Sequence, residues 1–95
     1  MMVIVFAGNH GQYSDFLKQH RLNPKYFKYA FDVSTVLGVE RHTPYITIGT
    51  YYEHDNWIDF QNWILVREFD PTPIEAILMA RDIMDAEKKH AGSPL

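Results

Sequence analysis

Residues 3–7 form an unbroken apolar run, Val-Ile-Val-Phe-Ala, dense in β-branched side chains and closed by Gly8. That is the pattern of a short strand buried on both faces. From Gly11 the period changes: Tyr13, Phe16, Leu17 and His20 recur at the spacing of one helical face, and Gln12, Asp15, Lys18 and Gln19 fall on the other. Pro24 biases Asn23 away from helical backbone and ends this element. Residues 26–31 alternate, with Phe27, Tyr29 and Phe31 on one side and Tyr26, Lys28 and Ala30 on the other, which predicts a second strand near an edge. The run DVSTVLG predicts one short helix, with Asp32 as its N-cap and Gly38 just past its end. Residues 45–50 then supply a third strand.

The rest reads as helix. Trp57, Phe60, Ile64 and Arg67 share a face, although residues 64–69 taken alone also fit a short strand. In the last segment Thr72 and Glu75 have capping-box spacing, Pro73 suits the first helical position, and Ile74, Ile77, Leu78 and Met84 form the stripe to be buried. Strands alternating with helices imply parallel pairing through right-handed crossovers. The expected fold is therefore α/β: a minimal three-stranded parallel Rossmann-like sheet with flanking helices and a long C-terminal helix. Residues 1–91 are expected to make a single domain, with a disordered tail at 92–95.

Composition narrows the function classes. The chain has 95 residues, of which 46% are hydrophobic and 22% charged, which is enough to build a core. Its net charge of -3 gives no general attraction to nucleic acid or anionic membrane. It has no cysteine, so disulfides, thiolate nucleophiles and cysteine metal sites are excluded. The opening MMVIVFAG carries no basic leader, and its apolar run is too short for a signal sequence or a membrane span. The expectation is a cytoplasmic chain.

The order strand, AGN, Gln12, helix, then an aromatic strand with DVSTVLG, then YITIGTYYEHDNW resembles short uncharacterised Rossmann-like βαβ proteins of bacteriophage type. The residues carrying the resemblance are Gly8, Asn9, Gln12, Gly38, Gly49, Thr50 and Tyr51, within roughly the first seventy. It implies a fold and a viral origin, and no activity.

In open parallel sheets ligands bind beyond the carboxyl ends of the strands. That rule selects Gly8, Asn9, His10, Gly11, Thr50, Glu53 and His54 as candidate ligand-binding residues, with a phosphate or nucleotide as the ligand. The glycine stretch is neither a Walker A loop nor a Gly-x-Gly-x-x-Gly fingerprint: Gln12 and Tyr13 stand where Lys and Ser or Thr would be needed. Its plainer meaning is a tight turn between strand and helix. His10, His54, Glu53 and Asp32 have ligand-type side chains but no metal-motif spacing, so neither a metal nor a cofactor is expected. Ser14 and Ser34 lie outside any Gly-x-Ser-x-Gly elbow, and no catalytic residue is assigned. The basic residues Lys18, Arg21, Lys25 and Lys28, with His20, fall at the opposite end of the sheet; on an acidic chain they favour a solvated face over a nucleic-acid site. The expected function is a small non-enzymatic binding protein, such as a phage accessory factor, that engages a protein partner or itself through Tyr51, Tyr52, Trp57 and Trp63. Small-ligand binding at the strand ends is the alternative.

Overall fold

The computed structural model describes residues 2–91, with side chains through residue 85; the tail expected at 92–95 lies outside the described residues. The elements run β1 (Val3–Phe6), α1 (His10–Gln19), β2 (Phe27–Tyr29), α2 (Val33–Val36), β3 (Pro44–Thr47), α3 (Trp57–Val66), β4 (Asp70–Pro71) and α4 (Ile74–Ala91), with 3-10 turns at Pro24–Tyr26 and Tyr51–Glu53. The strands form one sheet in the order β2-β1-β3-β4, and every pairing is parallel. The α/β architecture expected from the sequence is present, enlarged by the short fourth strand. β4 pairs Asp70 with Pro44 and Pro71 with Tyr45. Two residues, one of them proline, carry no alternating apolar signal, so β4 is invisible to a period-based reading.

Strand β1 is central and buried on both faces, and its alternation sorts the core into two halves. Val3, Val5 and Ala7 face α1 and α4, where they meet Tyr13, Phe16, Leu17, Leu22, Ile46 and Ile77. Ile4 and Phe6 face the other way, onto Ala30, Val36, Phe60 and Phe69. The second half is strongly aromatic, with the Phe6 ring 5.2 Å from Phe60 and 5.8 Å from Trp57. Helices on both faces of a parallel sheet make this a doubly wound layer sandwich.

The helix ends have specific causes. Asn9 caps α1 by accepting the Gln12 N–H, and Asp32 caps α2 by accepting the Thr35 N–H. Gly38 follows α2 with φ +78, the left-handed backbone that glycine adopts without penalty. Helices α1 and α3 close without glycine. Arg21 (φ 52) and Glu68 (φ 53) take the left-handed position, and the next residues, Leu22 and Phe69, turn inward as their N–H groups donate to the Leu17 and Ile64 carbonyls. Residues 64–66 thus complete α3 rather than forming a strand. The Thr72–Glu75 capping box does not form: the Thr72 hydroxyl donates to the Asp70 carbonyl at 3.2 Å, and its N–H to the Tyr45 carbonyl at 2.8 Å. This sheet bond holds Thr72 extended, and α4 starts at Ile74.

The stripe expected on α4 is buried only in part: Ile77 is 5% exposed and Met84 38%. With 18 residues α4 is about 27 Å long, about twice the length of the four-residue strands, so its later turns have no sheet beneath them. No helix among the described residues is long and apolar enough to cross a membrane.

Candidate functional site

The chain leaves β1 toward α1 on one face of the sheet, and leaves β3 toward α3 on the other. The carboxyl ends of β1 and β3 therefore border the topological switch point, the crevice in which open α/β sheets take ligands. Gln12, projecting from the first turn of α1, fills it. Its Oε1 accepts the Gly8 N–H at 2.8 Å and the Thr50 N–H at 3.1 Å, while its Nε2 donates to Thr50 Oγ1 at 2.8 Å. One carboxamide thereby ties the loop after β1 to the loop after β3.

The glycines around it are there for approach. A Cβ at Gly8 would lie 2.2 Å from Thr50 Oγ1 and 2.8 Å from the Thr50 carbonyl oxygen. One at Gly49 (φ +54) would lie 2.4 Å from Gln12 Oε1. Both positions admit no side chain unless the clasp opens. A phosphate at this turn would need backbone N–H donors, and the Gly8 and Thr50 donors are already engaged by Gln12.

The other ligand candidates gather around Tyr29 at the end of β2. His10, at the start of α1, lies 5.5 Å from the Tyr29 ring, and His54 approaches it at 6.3 Å from the loop after β3. Tyr13 stacks on Tyr29 at 5.3 Å, and Phe31 meets it edge-on at 6.4 Å. Burial raises the Tyr13 and Tyr29 phenols above their ordinary pKa of 10.0, because the phenolate would lose its hydration. His54 Nδ1 accepts the Asn56 N–H at 3.0 Å, which leaves Nε2 to carry the proton of the neutral ring. Glu53 is exposed. Among the described residues no three His, Cys, Asp or Glu side chains are grouped to hold a metal ion. The structure thus brings together Gly8 with Thr50, and sets His10 and His54 each against Tyr29. Asn9 acts as a cap, and Gly11 lies in the first turn of α1.

The four aromatic residues expected at an interface divide. Trp57 and Trp63 are partly buried against the Phe6 side of the core, Trp63 with the Arg67 guanidinium 5.5 Å over its ring. Tyr51 packs on Trp57 at 4.9 Å. Tyr52 is 60% exposed. The sequence reading missed Phe31, which is 65% exposed: its alternation with Phe27 and Tyr29 argued for burial, but the strand stops at Tyr29 and the chain turns before Phe31 reaches the core. Also exposed are Ile58, Leu65 and Val66 on the outer side of α3. The basic residues Lys18, Arg21 and Lys25 lie at or before the amino ends of the strands, away from this region.

Compared with known proteins, the chain matches no family model, no curated protein and no solved structure.

Proposed function

We propose that this chain is a small non-enzymatic binding protein of the cytoplasm, an accessory factor that acts through contact with another protein. The observation that carries the reading is the Gln12 clasp: the crevice in which a doubly wound sheet takes a small ligand is occupied by the protein's own carboxamide. Recognition is then left to the surface around it, where Phe31 and Tyr52 stand in water at the carboxyl ends of the strands. Large exposed rings are costly to leave hydrated and are enriched where proteins meet.

The test has two arms. A melting-temperature screen with nucleotides, inorganic phosphate and divalent cations is expected to be flat, since a ligand that binds only the native state must raise the midpoint. A tagged wild-type chain is expected to retain a protein from its host extract, and Phe31→Ala and Tyr52→Ala to lose it with unchanged melting. A nucleotide or phosphate shift that His10→Ala removes would replace this reading with small-ligand binding.

A further inference from the structure

At the carboxyl ends of the strands Phe31 meets Tyr29 edge-on, Tyr29 meets His54 from the neighbouring loop, and Tyr52, two residues before His54 in the chain, meets Tyr51. Carboxylates neighbour these rings in the chain. Asp32 follows Phe31 and, as the cap of α2, accepts from the Thr35 N–H and the Ser34 hydroxyl, and Glu53 and Asp55 flank His54. Glu53 and Asp55 are exposed, and none of the three carboxylates has an ion-pair partner among the described residues.

The loops that follow β1, β2 and β3, residues 7–9, 30–32 and 48–56, contain no lysine or arginine. Their three carboxylates account for the whole net charge of -3, because elsewhere nine acidic residues balance the nine Lys and Arg. The charge imbalance of the molecule is thus concentrated where its rings are exposed. Aromatic faces and unpaired carboxylates attract the same kind of group, a cation that is planar or weakly hydrated, and arginine fits both. The crevice beneath is filled by Gln12, so the feature is an open rim suited to an extended chain rather than a cavity suited to a small ammonium ion.

We propose that this rim, formed by Phe31, Tyr52, Asp32, Glu53 and Asp55, docks an arginine-rich segment of a partner protein. The inference rests on the protein-binding reading above and specifies the chemistry of the partner. A nucleic acid or an anionic membrane would meet the wrong charge here. A second copy offers its own basic end, but such a head-to-tail contact would build rings or open chains rather than a two-fold dimer.

The probe is a labelled arginine homopeptide followed by fluorescence anisotropy at low salt, with a glutamate homopeptide as control. Wild type is expected to bind the first and ignore the second. The double variant Glu53→Lys/Asp55→Lys should weaken binding by about tenfold or more, and Phe31→Ala by about threefold with its melting temperature unchanged. Glu40→Lys/Glu75→Lys makes the same change in net charge at exposed sites elsewhere and should stay within about twofold. Equal losses from the two double variants would reduce the effect to diffuse charge and overturn the proposal. So would self-association, seen by sedimentation, that Glu53→Lys/Asp55→Lys abolishes. If Phe31→Ala and Tyr52→Ala lose a captured protein while the arginine peptide fails to bind, the protein-binding reading stands and the cationic partner falls; if both tests fail, both fall.

Discussion

At the scale of residues, Gln12 does most to define this molecule, although nothing in its immediate neighbourhood in the chain announces its role. Its carboxamide makes three bonds across a separation of thirty-eight residues and back to Gly8. The groups it serves are half-buried backbone donors that water reaches poorly. Gln12→Ala is expected to cost about 1–3 kcal/mol in urea unfolding, the penalty of leaving such donors unpaired. Gly8→Ala should cost at least as much, because the added methyl collides with Thr50 rather than merely vacating a bond. A loss below about 0.5 kcal/mol in both would mean that the clasp is not a structural tie. Residues that stand out in the sequence acquire physical roles here: Gly8, Gln12, Gly49 and Thr50 build the clasp, Asn9 and Gly38 bound helices, and Tyr51 packs on Trp57. They amount to a folding motif, and they were individually legible in the sequence. Their meeting was not, because a side-chain bond between residues 12 and 50 leaves no period or spacing to detect.

Among the elements, those with a strong period were readable: β1 from its apolar run, α1 from its stripe, α2 from the cap at Asp32 and the glycine at 38. The helix ends without glycine were not. Arg21 and Glu68 sit in left-handed backbone because burying Leu22 and Phe69 outweighs the local strain. Arg21→Gly is therefore expected to stabilise the fold by about 0.5–1 kcal/mol by relieving that strain, a rise in the urea midpoint with unchanged slope. A fall would show that the Arg21 side chain contributes more than its backbone costs. Helix α4 teaches the reverse lesson. Its stripe is apolar, yet among the residues whose side chains are described Ile77 is buried and Met84 is exposed, and Arg81 fastens the helix by donating Nη1 to the His20 carbonyl at 2.7 Å.

For the whole molecule, the two core halves lie on opposite faces of the thin sheet, so the global stability depends on rings on both faces. On the α1 side, Tyr13 and Tyr29 are stacked and both phenols are held above their ordinary pKa by burial. A folded-state pKa above the unfolded value contributes stability that is fully present below pH about 10 and is lost as the pH rises through the folded values. The unfolding free energy is therefore expected to be independent of these groups at neutral pH and to fall above pH about 10. Tyr13→Phe/Tyr29→Phe should flatten that alkaline decline, as followed by urea titrations across the range. A decline of unchanged steepness in the double variant would assign it to other groups.

The sequence by itself determined the class of this fold and the order of its main elements, since apolar period, caps and turn residues are local properties that the chain carries wherever it lies. It also determined that residues 30–32 and 48–56 would hold three carboxylates without a compensating lysine or arginine. Only the tertiary structure decided that Gln12 would occupy the switch point, that Phe31 would stand exposed while Trp57 and Trp63 packed inward, and that His10 and His54 would approach the same tyrosine. These outcomes depend on where strands end and how loops from distant parts of the chain converge. That is set by the competition of many side chains for one small core, which no single segment encodes.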